Sequence, residues 1–242
     1  MYLYFQYAPH THTLVLALER GDSPNSYHAN SNPNYQGQTC HFDLPNSSLI
    51  TSDPPSRHTV NAALPRDVSL ISLAACSDPQ FHAIMDSTSK LYSYRVSVNP
   101  VMDPFMRLFR THVYYDLNVE LLGAALKLFV GTHDFRAFSG QLEQKAKQKG
   151  GAISTLRTIY DVRLVDEGDG LYKIDFHLQG ALYKMVRNMV GTALSVARGD
   201  LELTELKRLL NEAPPRKENK SKPAPAHGLC LETVYYNDDD NK

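Results

Sequence analysis

The segment Asp166–Gly170 (DEGDG) separates two stretches with strand character, Thr155–Val165 and Leu171–Leu178. Its two glycines and its acidic residues are typical of a short connection between antiparallel strands. Polar and apolar residues also alternate through Ser89–Asn99, which predicts a half-buried strand. Because hairpins rather than helical crossovers dominate this order, the sequence predicts an α+β fold with an antiparallel sheet, not a doubly wound parallel one.

Helical spacing of apolar residues is clearest through Leu182–Arg198, and Gly199 follows as a suitable C-cap. The same spacing predicts a helix through Leu121–Phe129 and a shorter one from about Leu203 to Asn211. After a Pro- and Lys-rich loop, a final strand is predicted at Leu229–Tyr236.

The first part of the chain is harder to interpret. Met1–Tyr7 is aromatic and strand-like, Leu14–Leu18 is too short for a secure helix, and Thr39–Asp43 is compatible with a short strand. Gly, Ser, Pro and Asn crowd Glu19–Asn32, which predicts a loop. We expect Asn61–Leu73 to be a turn that leads into a strand.

Composition indicates a globular protein. The chain has 242 residues, 42% of them hydrophobic and 21% charged, which suits one large domain or two closely packed halves. No apolar run approaches the roughly 18 residues of a membrane span, and the N-terminus does not resemble a secretion signal. We therefore expect an intracellular protein, in the cytoplasm or the mitochondrion, without membrane contact. That expectation argues against an adhesion role for Arg20–Ser23 (RGDS), which would require export.

Ionic and thiol groups restrict the chemistry further. Because the net charge is −1, overall electrostatics does not indicate nucleic-acid binding. Two predicted loops nevertheless concentrate basic residues, which form either a groove for phosphates or ordinary solvated surface. These residues are Lys145, Lys147 and Lys149 in one loop, and Arg216, Lys217, Lys220 and Lys222 in the other. The three cysteines form no C-x-x-C pair, and common nucleotide, hydrolase and metal motifs are missing from the sequence, which leaves aspartate-based chemistry or none.

Three side chains within predicted elements are candidates for function. Arg187 lies among apolar residues of the long predicted helix, and a buried guanidinium requires an anionic partner. That partner is either a core carboxylate or a ligand, unless the side chain reaches solvent. Tyr92 and Tyr94 share one face of a predicted strand, where they either pack in the core or stack on a base.

Seven sequence blocks occur in a characteristic order between Asn61 and Tyr236. They are NAALP (61–65), FHA (81–83), KLYSY (90–94), GTHDFRAF (131–138), LRTI (156–159), LYKMVRNMVG (182–191) and AHGL (226–229). Together these blocks resemble the TruA family of tRNA pseudouridine synthases, and among its branches they look closest to the eukaryotic pseudouridine synthase-like 1 proteins.

The resemblance implies a pseudouridine synthase fold: a mixed, mostly antiparallel central sheet flanked by helices, with an RNA cleft across the middle. It implies that uridine is isomerised to pseudouridine in tRNA, in the anticodon stem-loop, without metal or organic cofactor. The implied partner is tRNA, and analogy with bacterial relatives adds a homodimer.

The resemblance also implies a site. Arg187 matches the family arginine that pairs with a catalytic aspartate, and Tyr92 matches the tyrosine that stacks on the target base. The family nucleophile lies in a loop of the form R-T-D-A-G-V-H-A, which this chain does not contain. Asp22 is the best candidate because Arg20 precedes it by two residues and a His-Ala pair follows at His28. The predicted catalytic residues are Asp22, Tyr92 and Arg187, and the predicted substrate-binding residues are Arg20, His28, Lys90, Tyr94 and Asn188.

The altered loop leaves two functions open. Two extra residues separate Asp22 from His28, the Ala-Gly pair is missing, and Ile84 replaces the arginine usual after Phe-His-Ala. The chain is therefore either an active synthase or a catalytically inactive relative or truncated form that binds tRNA without modifying it. We predict a degenerate or truncated N-terminal part at residues 1–60, with the candidate catalytic loop, and the remainder of the catalytic domain at residues 61–242.

Overall fold

The computed structural model describes residues 12–20, 34–44, 53–75, 78 and 80–236. Its strands are β1 (His12–Arg20), β2 (Asn34–Leu44), β3 (Val68–Ala75), β4 (Ser89–Ser97), β5 (Thr111–His112), β6 (Gly131–Asp134), β7 (Leu156–Gly168), β8 (Leu171–Leu178) and β9 (Leu229–Tyr235). Its helices are α1 (Asp53–Ala63), α2 (Val119–Lys127), α3 (Leu142–Lys149), α4 (Met185–Arg198) and α5 (Leu203–Asn211). None of the helices in these ranges is both long and apolar enough to cross a bilayer.

These strands form one mixed sheet. Its order is β3-β1-β2-β9-β4-β8-β7-β6, with β5 paired to β4. Only the β2–β9 and β4–β5 pairings are parallel among the described strands. The β7–β8 hairpin turns at Asp169 and Gly170, which have φ angles of 50° and 69°. A two-residue connection with positive φ at both positions matches the twist of antiparallel strands. The predicted α+β class and this hairpin are confirmed.

The core lies between the sheet and the helices. Tyr94 and Val96 of β4 are fully buried, as are Ile174 and Phe176 of the neighbouring β8, and they pack with apolar residues of α2, α4 and α5. Each such side chain contributes about 1.5–3 kcal/mol by leaving water. Ser93, on the other face of β4, is also fully buried, so the prediction of a half-buried strand was wrong at this position.

The N-terminal elements differ from the predictions in extent. Leu14–Leu18 lies inside strand β1, and the short strand predicted at Thr39–Asp43 extends over all of β2. Asn61 belongs to helix α1 instead of a turn. Its side-chain oxygen accepts a hydrogen bond from Leu70 N (2.6 Å) and its amide donates to Leu70 O (3.1 Å), which attaches the helix end to β3.

Helix boundaries in the second half are closer to expectation. Helix α5 has the predicted bounds, and Gly199 caps α4 in the left-handed conformation, with φ 85°. Helix α4 begins at Met185 because Lys184 also adopts a left-handed conformation, with φ 59°. Lys145, Lys147 and Lys149 all belong to helix α3, so the predicted loop there was wrong.

An irregular segment lies along α4. We call residues 215–225 the strap. Asn219 is buried in it and donates to Thr192 Oγ1 of α4 (3.0 Å) and to Ala137 O (3.3 Å). Arg216 donates to Asn188 Oδ1 of α4 (3.2 Å). A Cβ atom at Gly191 would lie 2.0 Å from Lys222 O, so only glycine allows the strap to approach the helix this closely.

Two helical glycines make a matched pair of variants. Gly191→Ala should lower the free energy of unfolding by about 1–3 kcal/mol, because the strap backbone must move away from α4. Gly123→Ala in α2 should instead raise it by about 0.5–1 kcal/mol, since alanine favours the helix and the new Cβ meets only Leu164 Cδ2, at 3.9 Å. Urea unfolding measures both values. Equal effects of the two substitutions would contradict the close strap contact.

Candidate functional site

Three of the predicted site residues belong to the N-terminal region. Asp22 and His28 lie outside the described residues, and their assigned roles stay predictions. Arg20 is the last residue of β1. Its register partner on β2 is Tyr35, Tyr35 is level with Leu231 on β9, and Leu231 is level with Tyr92 on β4. The chain therefore leaves β1 at the same height of the sheet as Tyr92, three strand spacings away.

Arg187 lies in the first turn of α4 and is fixed by the strap. Its Nε donates to Ala224 O (2.7 Å), and its main-chain oxygen accepts from Ala224 N (2.9 Å). Within the described residues, no carboxylate forms an ion pair with this guanidinium and its terminal nitrogens donate no hydrogen bond. The predicted need for an anionic partner is therefore not met by that part of the chain.

Tyr94 holds the far end of the strap. Its hydroxyl donates to Pro225 O (2.9 Å) and shares a hydrogen bond with Thr111 Oγ1 (2.6 Å). Burial raises the pKa of Tyr94 strongly, while the Thr111 hydrogen bond and the nearby positive charge of Arg187 act in the opposite direction. Arg187 and Tyr94 thus contact consecutive strap residues, Ala224 and Pro225.

Asn188, next to Arg187, is also a packing residue. Its amide donates to Phe138 O (2.6 Å), its side-chain oxygen accepts from Arg216, and only 2% of it is exposed. Direct contact with a substrate, predicted for Tyr94 and Asn188, would need surface that neither side chain exposes. In this structure both residues position α4 and the strap.

Tyr92 and Lys90 share the face of β4 that Tyr94 occupies, and both are half-buried. Burial raises the pKa of Tyr92 and lowers the pKa of Lys90. The Tyr92 hydroxyl therefore stays protonated at neutral pH, and its ring has one part in the core and one part accessible. An aromatic ring in this position is suited to packing against a flat ligand.

Comparison with known proteins decides the family. A family model described as tRNA pseudouridine synthase matches residues 125–237. tRNA pseudouridine synthase A of Latilactobacillus sakei is 35% identical over 205 residues, which cover 83% of this chain and 76% of the relative. tRNA pseudouridine synthase A of Bacillus licheniformis is 34% identical over 224 residues, which cover 93% and 85%. This chain belongs to the tRNA pseudouridine synthase A (TruA) family.

The predicted family is thereby confirmed, whereas the closeness to its eukaryotic branch stays a prediction. Because the chain belongs to this family, the cations near the start of α4 that have no carboxylate partner among the described residues are candidates for contacts with tRNA phosphates. Lys145 and Lys184 lie 4.8 and 5.4 Å from the centre of the Tyr183 ring, and Arg136 and Lys217 line a cavity of about 460 Å³. Within the described ranges none of these four cations forms an ion pair. Such charges are available to phosphate groups.

Four other described arginines of this TruA-family protein form ion pairs with carboxylates. The pairs are Arg95 with Glu232, Arg110 with Glu167, Arg163 with Asp161, and Arg208 with Glu205 and Glu212. Sequence reasoning missed these ion pairs, and it missed the strap contacts around Asn219. The available signal was Gly191, a glycine inside a predicted helix.

Tyr94→Phe tests the strap contact in this TruA-family protein. Removal of the hydroxyl leaves Pro225 O and Thr111 Oγ1 without their partner, and we expect the free energy of unfolding at pH 7 to fall by about 1–3 kcal/mol. The raised pKa adds a pH dependence with a definite sign. The unfolded tyrosine ionises near pH 10 while the folded one does not, so the stabilisation by Tyr94 is lost as the pH rises above about 10.

Urea unfolding of the wild type and of Tyr94→Phe, at about pH 7 and about pH 10.5, measures this effect. The difference in unfolding free energy between the two proteins should shrink at the higher pH. A difference that stays constant would show that the Tyr94 hydroxyl is not buried in the folded protein.

Proposed function

We propose that this chain isomerises uridine to pseudouridine in tRNA, with Asp22 as the nucleophile, Arg187 as its cationic partner and Tyr92 packed against the target base. Membership of the tRNA pseudouridine synthase A family supports the reaction class, that of an isomerase acting on tRNA. The anticodon stem-loop as target, a homodimer, and a location in the cytoplasm or the mitochondrion belong to the same proposal by likeness to the family.

The observation that carries this assignment is the cross-sheet row of Arg20, Tyr35, Leu231 and Tyr92. Strands are spaced by about 4.8 Å, so Arg20 and Tyr92 are separated by roughly 14 Å along the row. The chain leaves β1 two residues before Asp22. Two extended residues span up to about 7 Å, which is about half of the separation between Arg20 and Tyr92. Strands β1 and β4 run in the same direction, because β2 and β9 are parallel and each is antiparallel to one of them.

In the proposed mechanism Arg187 keeps the Asp22 carboxylate ionised. A guanidinium close to Asp22 favours the ionised form, which can attack, and the fixed Ala224 contact keeps the terminal nitrogens directed at one place. The target uridine leaves its stack to reach the site. There the Asp22 carboxylate bonds to the ribose C1′ as the bond from N1 to C1′ breaks, and the uracil turns. A bond from C5 to C1′ then forms as the bond from C1′ to Asp22 breaks, and the C5 proton is lost while N1 gains one. The composition of the nucleotide is unchanged, and the likeness to the family implies no cofactor.

Substrate affinity is assigned to the unpaired cations at the start of α4. Lys184 lies one turn before Arg187, and Lys145 faces the same Tyr183 ring. A phosphodiester bound there would run beside the nucleotide that enters the site, since phosphate contacts position a nucleic acid without reading its sequence. A net charge of −1 is compatible with tRNA binding because the positive charge is concentrated locally.

Two substitutions test the catalytic roles. Asp22→Ala should lower the single-turnover rate of pseudouridine formation by at least about 10⁴-fold, because the nucleophile is removed. Arg187→Gln should lower it by about 10²- to 10³-fold through loss of electrostatic stabilisation. Chromatography of nucleosides from digested tRNA measures the product. Arg163→Ala, whose side chain is 75% exposed and lies on another part of the sheet, is the control and should retain the wild-type rate.

Equal conversion of uridine by Asp22→Ala and the wild type would overturn the assignment of the nucleophile. The competing function, an inactive RNA-binding protein, predicts salt-dependent tRNA binding and no pseudouridine at any enzyme concentration. Circular dichroism of each variant separates loss of the fold from loss of chemistry.

A further inference from the structure

A second concave surface lies beyond the strap, on the side of the second half of α4. It has a volume of about 600 Å³, which lies in the range of roughly 300–1,000 Å³ typical of ligand sites. Its walls are residues 111–115, the α4 residues from Gly191 to Arg198, and the strap residues from Lys220 to Pro225. We call it the strap groove. A different set of residues, including Arg136 and Lys217, lines the cavity of about 460 Å³.

Three neighbouring aromatic rings form one wall of the strap groove. His112 and Tyr114 have ring centres 6.4 Å apart, and Tyr114 and Tyr115 have ring centres 5.7 Å apart, with near-perpendicular planes in the second pair (80°). Arg198 covers Tyr115 at 4.5 Å, and His112 is tied to Asn99 O by its Nε2 (2.8 Å). Because its neighbours meet it edge to face, the ring of Tyr114 is not stacked by either of them.

Tyr114 is the distinctive residue of this wall. It is 81% exposed although it is a large aromatic side chain. A ring that is this exposed contributes little to the hydrophobic core. Because other rings support it, it offers a flat surface on which a base can stack. Aromatic side chains do this for bases of any identity, because every base has a π-face.

The strap contributes basic residues to the groove. Lys220 and Lys222 are exposed strap residues and form no ion pair within the described part of the chain, although Lys220 Nζ donates to Lys217 O (3.4 Å). Arg198 pairs with Asp200 (3.4 Å), the single carboxylate among the described residues that line the groove. Two uncompensated cations that line the same groove as an exposed aromatic ring match a nucleotide, which carries an anionic phosphate and a flat base.

We propose that the strap groove binds an unpaired nucleotide of the tRNA, whose base stacks on Tyr114 and whose phosphate lies between Lys220 and Lys222. The inference rests on the proposed function for the identity of the RNA. The groove touches the catalytic region at one residue, since Ala224 lines it and also accepts the Arg187 hydrogen bond. It therefore contributes mainly to the affinity for tRNA, and the chemical step takes place on the other side of the strap.

The test compares three tyrosine variants of the full chain with unmodified tRNA. Tyr114→Ala should raise the Kd by about 5- to 150-fold, the range expected for loss of one base–aromatic stack. Tyr114→Phe keeps the ring and should bind within about twofold of the wild type, because stacking does not use the hydroxyl. Tyr160→Ala is the control. It removes a half-exposed tyrosine outside the groove (48% exposed) and should not change the Kd.

Kinetics and salt provide independent readouts. Tyr114→Ala should raise KM with the single-turnover rate at saturating tRNA unchanged. The double variant Lys220→Gln and Lys222→Gln should flatten the slope of log Kd against log salt concentration by about 0.7 for each lysine that no longer neutralises a phosphate. A fully base-paired RNA hairpin should bind wild type and Tyr114→Ala equally, since it offers no unpaired base.

Three results would overturn the proposal: a wild-type Kd for Tyr114→Ala, an equal loss of affinity for the fully paired hairpin, or a change of oligomeric state in sedimentation that leaves tRNA affinity intact. The last would assign the groove to a second copy of the chain.

Failure of the proposed function would give a different result. A wild type that binds tRNA through Tyr114 and yields no pseudouridine would refute the catalytic assignment and leave the groove assignment standing.

Discussion

The two hydrogen bonds between Arg187 and Ala224 connect the start of helix α4 to the strap, and the arrangement of the site depends on them. They form because Gly191, one turn farther along the helix, has no side chain to push the strap away. With Nε engaged and the main chain paired, the guanidinium has little freedom. Rigid placement of one charge is what an active site needs, since a catalytic group must be held within about half an ångström of its working position.

Backbone strain accompanies this placement. Gln141 and Lys184 precede helices α3 and α4 with φ angles of 56° and 59°, although neither residue is glycine. Each such conformation costs on the order of 1–3 kcal/mol and persists only where the surroundings impose it. Here Gly140 N donates to Tyr183 O (2.9 Å), which joins the two strained turns. Lys184 itself lies at the Tyr183 ring, and Lys145 reaches the same ring from helix α3, which Gln141 precedes. The strained residues are therefore close to the unpaired cations proposed to bind tRNA.

The sequence predicts those parts of the fold in which local chemistry and tertiary structure agree. Helix α4 with its Gly199 cap and the β7–β8 hairpin are examples, because periodicity and turn residues specify them. Helix α3 has few apolar residues, and α1 contains two prolines, so neither shows a helical pattern. The burial of Asn219 is set by contacts with residues 27 and 82 positions away, which no local pattern records. For the site, matching blocks place Tyr92 and Arg187, but a block cannot distinguish a residue that touches substrate from one, such as Tyr94, that holds the strap.

Arg187, fixed by the strap, is the proposed partner of Asp22, and the catalytic assignment depends on that pair. A double-mutant cycle on the free energy of unfolding tests this contact without requiring activity, using Asp22→Ala, Arg187→Ala and the double variant. Residues in contact show an interaction free energy of about 0.5–3 kcal/mol, whereas distant residues add within about 0.5 kcal/mol. We predict an interaction of at least about 1 kcal/mol, with the double variant less destabilised than the sum of the single ones. Strict additivity of the two substitutions would contradict the pairing of Asp22 with Arg187.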